Sequence, residues 1–132
     1  MSQENVEIVR AGLDAFNRGD RDAALKDLPP DFEFDMSRAI SPDQRGVYGP
    51  DQLRQLWDDT VEPFESFRIE AEDFIEAGDQ VIVPTTTYAR GRGGIEVTAR
   101  AATIYTIRDG AIVRMCMYQT LQDALEAAGL AE

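Results

Sequence analysis

The stretch AATIYTIRDGAIVRMCMYQT, residues 101–120, decides how this chain reads. Two runs rich in β-branched and aromatic residues flank Arg108-Asp109-Gly110. An Asp-Gly pair between apolar runs signals a tight hairpin, because both central residues of such a turn need positive φ. The pattern predicts antiparallel strands over about 95–108 and 111–120. Strict alternation places Thr103, Tyr105, Met115, Met117 and Gln119 on one face. Thr103 and Gln119 are the polar members of that face. A buried hydroxyl or amide left unpaired costs about 1–3 kcal/mol, so they are expected to bond a ligand, water or each other.

Working outward, turn signals at Ala77-Gly78-Asp79 and Gly91-Arg92-Gly93-Gly94 predict two further strands, about 67–76 and 80–90, completing a β-meander. With Val81 and Val83 facing inward, Thr85 and Thr87 do the same. Towards the N-terminus, DFEFDM (31–36) alternates strictly, with Phe32, Phe34 and Met36 on one face and Glu33 and Asp35 on the other. Val6, Val9, Leu13 and Phe16 recur at helical spacing. Gly19 ends that helix, Asp20 caps a short second one, and Pro29-Pro30 stops it. Residues 37–50 read as a loop, and Pro50 opens a third helix whose Leu53, Leu56, Trp57, Val61 and Phe64 form one stripe. LQDALEAAGL (121–130) is a closing helix. The order α-α-β-α-β-β-β-β-α, helices first and an antiparallel sheet after, is α+β, and residues 1–132 read as a single domain.

The composition excludes several classes of function. The chain has 132 residues, enough for a core without staples, and a net charge of -12, which argues against nucleic acid and anionic membrane surfaces. No apolar run has the roughly 18–20 residues of a membrane span. MSQENVEIVR lacks a basic segment followed by an apolar one, and Cys116 is the single cysteine, so a cytoplasmic location is expected. There is no histidine, which removes Ser-His-Asp and Cys-His triads and histidine metal sites. ARGRGG (89–94) joins two strands and matches no phosphate-binding loop. No metal and no cofactor are expected.

GLDAFNRGDRDAAL (12–25), RGVYGPDQLRQLW (45–57), the long strands and the Arg-Asp-Gly hairpin together resemble the nuclear transport factor 2-like superfamily, and most of all its SnoaL-like, ketosteroid isomerase-like members. The resemblance implies a cone: a curved antiparallel sheet, mixed at its edge, wrapped around the N-terminal helices, with an apolar pocket between them. It also implies a homodimer formed through the outer face of the sheet. Apolar residues on both faces of the third meander strand (Ile104 on one, Tyr105 and Ile107 on the other) agree with both faces being covered.

Ketosteroid isomerisation needs a carboxylate base, a tyrosine and a protonated carboxylic acid around the developing oxyanion. Counting from the motifs of the resemblance, the tyrosine position falls on Gly12, the base on Met36, the acid on Thr103 and an auxiliary tyrosine on Trp57. Asp35 is the one neighbouring carboxylate available as a catalytic base, and a one-residue bulge would be needed to swing it inward. The expected ligand-binding residues are Phe16, Met36, Tyr48, Trp57, Thr85, Thr87, Thr103, Tyr105, Met115, Met117 and Gln119. The expected function is a small-molecule pocket that binds or transforms a largely apolar, neutral compound. The alternative is a non-catalytic ligand-binding or dimerisation module.

Overall fold

The structure, a computed structural model, describes residues 2–38 and 46–130. Its elements are α1 (Ser2–Asn17), α2 (Arg21–Leu25), β1 (Glu33–Asp35), β2 (Val47–Tyr48), α3 (Pro50–Val61), β3 (Phe64–Ala71), β4 (Ile75–Ala77), β5 (Gln80–Gly91), β6 (Glu96–Arg108), β7 (Ala111–Tyr118) and α4 (Leu121–Ala127). Among the described residues the strands form one seven-stranded, unclosed sheet in the order β2-β1-β7-β6-β5-β3, with β4 paired to β5. This is the expected α+β arrangement, a curved mixed sheet with the N-terminal helices against it.

The hairpin at the centre forms as its residues dictate. Asp109 (φ 52°) and Gly110 (φ 78°) both occupy the left-handed region, so the turn matches the twist of β6 and β7. The β6–β7 register holds Thr103 opposite Met117 and Tyr105 opposite Met115, then shifts between Thr106 and Ile107. Arg114 faces Thr106 while Ile112 faces Ile107, so Val113 is the extra residue of a β-bulge. The bulge reverses the alternation, and Ile112 joins Met115 and Met117 on the inner face. β1 lies parallel to β7, with Phe34 beside Met115, which makes the sheet mixed at this edge.

Three predicted boundaries move. The strand read as 67–76 is two strands, because the ladder breaks opposite Pro84, which has no N–H to donate; the Glu72 amide bonds the Pro84 carbonyl at 2.8 Å instead. The third helix ends at Val61, and Phe64 belongs to β3. Of the segment read as a loop, Val47–Tyr48 pairs with β1, and 39–45 lies outside the described residues.

α1 packs Val6 and Val9 against Val81, Val83, Tyr105 and Ile107. Asn17 anchors its C-terminus: the side-chain amide donates to the Ile69 carbonyl (2.8 Å) and accepts from the Ile69 amide (2.9 Å), pairing with β3 as a neighbouring strand would. The Asp20 carboxylate caps α2, accepting from the Ala23 amide at 3.1 Å. Arg21 reaches Asp58 (3.1 Å), tying α2 to α3.

On the outer face, α4 brings Ala124 against Ile82, Ala102 and Ile104. The two-faced apolar pattern of β6 is therefore explained within one chain: the cavity-side residues face α1 and the others face α4. The first half of β6, residues 96–100, is exposed on both faces, and β7 pairs with β6 only from Ala102 onward.

Candidate functional site

Between α1, α3 and the inner face of the sheet lies a cavity of about 210 Å³. Most of the lining side chains follow from local patterns. Helical spacing aims Val9, Leu13 and Phe16 of α1, and Leu53, Leu56, Trp57 and Thr60 of α3, at the sheet. The two-residue period of the strands contributes Phe34 and Met36 at β1, Thr85 and Thr87 on β5, Ala101, Thr103 and Tyr105 on β6, and Met115 and Met117 on β7. Phe16 meets Trp57 edge to face at 5.1 Å between ring centres, which fixes both rings in the wall.

Of the residues expected to bind ligand, Phe16, Met36, Trp57, Thr85, Thr87, Thr103, Tyr105, Met115 and Met117 are brought together in this lining. Gly12, Met36, Trp57 and Thr103, the positions reached by counting from the isomerase motifs, all reach it too. Tyr48 and Gln119 do not. Tyr48 packs behind the wall, against the cluster of Phe32, Phe34, Met36 and Leu53. Gln119 is exposed, because β7 ends at Tyr118 and the chain turns at once into α4, whose N-cap is the Thr120 hydroxyl accepting from the Asp123 amide.

Asp35 is also elsewhere. The alternation that sends Phe34 and Met36 inward sends Asp35 to the opposite face, and no bulge reverses it. There it accepts from the Ser37 hydroxyl (2.6 Å), the Ser37 amide (2.8 Å) and the Arg114 guanidinium (2.9 Å). Partial burial pushes its pKa up. The Ser37 hydrogen bonds and the charges of Arg114 and Arg38 together outweigh that, so its carboxyl is held below the ordinary value. A base near neutral pH needs the reverse shift. Asp35 is thus a cross-link between β1 and β7, out of reach of the cavity.

Sequence reasoning missed Ile112, which only the bulge turns inward, and Phe67 and Ile69 of β3, whose alternation is visible but whose face was not assigned. It also missed Thr60, whose hydroxyl donates to the Leu56 carbonyl at 2.7 Å.

The cavity's electrostatics are simple. Among the described residues no Asp, Glu, Lys, Arg or Cys lines it. The polar side-chain groups of its lining are threonine and tyrosine hydroxyls and the Trp57 indole N–H. Thr85, Thr103 and Tyr105 are buried, and Thr103 is only 4% exposed. Thr103 sits opposite Val83, and Thr85 opposite Ala101, so the two threonines are diagonal neighbours and form no direct pair. Among the described residues their hydroxyls and that of Tyr105 have no hydrogen-bond partner, yet no fully enclosed side-chain oxygen or nitrogen is left unsatisfied. These hydroxyls therefore open into the cavity. Burial pushes the Tyr105 phenol pKa well up, so it is a neutral donor throughout the physiological range. The arrangement can hold an apolar body and hydrogen-bond one polar group. Among the described residues no three Asp, Glu or Cys side chains converge as a metal-binding group.

A curved mixed sheet around N-terminal helices, with a hydroxyl-dotted apolar cavity between them, defines a nuclear transport factor 2-like domain. The family model for the SnoaL-like domain matches residues 9–115, and the chain belongs to that family. Among solved structures it is similar to TerC co-crystallised with polyporic acid (23% identity, 96% of this chain and 98% of that chain covered, TM-score 0.74). It is also similar to the Δ5-3-ketosteroid isomerase of Mycobacterium sp. (21%, 89% and 94%, 0.71). A third similar structure is a Mycobacterium tuberculosis protein in complex with estradiol-17β-hemisuccinate (16%, 89% and 95%, 0.74). At these identities the likeness shows the fold. Comparison with curated protein sequences gives no match.

Proposed function

We propose that this protein binds a largely apolar, neutral small molecule in the cavity, with Thr103 and Tyr105 positioning a polar group on it. One observation carries the reading: buried hydroxyls without protein partners open into a space otherwise walled by apolar side chains. Two of the similar structures hold polyporic acid and an estradiol hemisuccinate, which supports a ligand of ring-built character. A neutral ligand fits best, because the lining offers no countercharge among the described residues and the chain carries a net -12. Any chemistry on it would draw on the neutral Tyr105 donor polarising a carbonyl or hydroxyl, since among the described residues no carboxylate lines the cavity to act as base.

Trp57 is the single tryptophan and stands in the wall, so its emission reports occupancy directly. Titration with estradiol is expected to change that emission saturably. A flat response to estradiol, a terpenoid and an aromatic polyketide alike would sink the reading. Mass spectrometry of the bound compound after incubation separates an enzyme from a carrier.

The rest of the reading is a cytoplasmic homodimer that engages neither nucleic acid nor membrane. The acidity supports the last two points, and no helix among the described residues is long and apolar enough to cross a membrane. The exposed apolar side chains at and beside the start of β6, Ile95 (71% exposed), Val97 (43%) and Tyr88 (40%), support a partner copy against this half of the sheet. Sedimentation velocity is expected to give a dimer, and a monomer at micromolar concentration would refute it.

A further inference from the structure

A second concavity, a cleft of about 450 Å³, lies where α1, α2 and the tip of the β6–β7 hairpin meet. It shares four lining residues with the cavity: Gly12, Ala24, Leu28 and Ile112. Among the described residues, those four border both spaces. At Gly12 the partition between them has no side chain, and a Cβ placed there would meet no atom within 4 Å. Leu28 and Ile112 carry the larger side chains there, and both are only partly buried.

Size gives the partition a meaning. At about 210 Å³ the cavity is below the roughly 300–1,000 Å³ usual for small-molecule sites, whereas cavity and cleft taken together fall within that range. The chemistry also changes across the partition. Among the described residues the cavity offers only neutral groups, hydroxyls and the Trp57 indole N–H, while the cleft adds Arg18 and Lys26 beside Asp14 and Asp27. Charges of both signs in one open cleft suit a hydrogen-bonding group better than a full charge, since either sign of ligand would meet its like.

We propose that cavity and cleft form one elongated binding site joined over Gly12, and that its ligand is a long, rigid, apolar compound with a hydroxyl or similar neutral group at each end. This rests on the cavity-binding reading above and extends it. One end bonds Thr103 and Tyr105, the apolar body passes between Leu28 and Ile112 across the bare helix face at Gly12, and the other end lies among the polar side chains of the cleft. The absence of a side chain at position 12 then sets the length of ligand accepted.

The test compares two probes by isothermal titration calorimetry: 2-naphthol, which the cavity alone can hold, and estradiol, a four-ring compound with a hydroxyl at each end. The variants are Gly12→Leu, which plugs the junction, and Ala23→Phe, which fills the cleft from a residue that lines the cleft and not the cavity. Each variant is expected to weaken estradiol by about tenfold or more, as excluding roughly two methylene equivalents from a buried site would, and Ala23→Phe, which lies outside the cavity lining, is expected to leave 2-naphthol within about twofold. Ala23→Phe keeps the test alive if Gly12→Leu does not fold. Wild-type binding of 2-naphthol without estradiol, loss of both probes to the same degree in Ala23→Phe, or no loss of estradiol in either variant would overturn the elongated site while leaving cavity binding intact. Failure of both probes on the wild-type protein removes the cavity reading and this one with it.

Discussion

Replacing Thr103 by valine separates a ligand-directed hydroxyl from a structural one, because the two roles predict opposite signs. Valine has nearly the shape of threonine, suits a β-strand and exchanges the hydroxyl for a methyl. In the structure that hydroxyl has no protein partner among the described residues and opens into the cavity, although the residue is only 4% exposed. No intramolecular hydrogen bond is therefore lost, and the added methyl gains apolar burial worth up to about 0.5–1 kcal/mol. Thr103→Val is expected to leave stability unchanged or raise it by that amount, seen in urea denaturation as a higher midpoint with the same slope. A hydroxyl that held the fold together would instead cost about 1–3 kcal/mol on removal. Ligand binding moves the other way. Losing one neutral hydrogen bond of about 1 kcal/mol weakens estradiol roughly fivefold, read from Trp57 emission. A variant destabilised by more than about 1 kcal/mol would show that Thr103 has a structural partner. An unchanged estradiol affinity would show that it does not touch the ligand.

Other expectations follow from single features. Gly12→Ala adds a methyl to the middle of α1 where a Cβ meets nothing within 4 Å, so it should stabilise the fold by about 0.5–1 kcal/mol in chemical denaturation. Asp35→Asn removes the ion pair with Arg114, which is 43% exposed and partly screened, and should cost about 1–2 kcal/mol at neutral pH without changing estradiol affinity. The sign with pH is fixed by the depressed pKa of Asp35: its contribution is complete above the ordinary value of 3.8 and disappears as pH falls through the lower folded-state value. Wild type and Asp35→Asn should therefore converge in stability only below pH 3.8, and convergence already near pH 5 would contradict the structure. Gly110→Ala forces a Cβ into a φ of 78° and should cost about 1–2 kcal/mol by the same denaturation assay.

What was legible in the sequence follows from which physical rules are local. The Asp-Gly turn, the alternation of Phe32, Phe34 and Met36, and the stripe ending at Phe16 each depend on a few neighbouring residues, and the elements they signal stand where the pattern puts them. The inward set on β5 and β6 followed from the same two-residue period, so Thr85, Thr87, Thr103 and Tyr105 could be placed before any coordinates. The period also spoke against Asp35, since Phe34 and Met36 cannot both face inward on a regular strand while their common neighbour does. Two features were out of reach because they are relations between distant segments. The Val113 bulge exists only against Thr106 and Ile107 on the paired strand, and it alone turns Ile112 inward. The outward placement of Gln119 depends on where β7 stops, which is set by Thr120 capping a helix that packs back over Ala102 and Ile104.

That same helix changes what the apolar outer face of β6 means. The outward Ile104 reads in sequence as part of a surface waiting for a partner chain, yet α4 of the same chain already packs Ala124 against it. The half of the strand left open to a second copy is residues 96–100, where β7 offers no neighbour and both faces are exposed. The cavity walls lie on the far side of the sheet from α4, so the hydroxyls of Thr103 and Tyr105 do not depend on that contact. Binding should therefore survive substitutions that disrupt a dimer through Val97, such as Val97→Glu. If Val97→Glu produced monomers that had also lost estradiol, a partner copy would have to complete the site, and the cavity of a single chain would no longer be a sufficient account of binding.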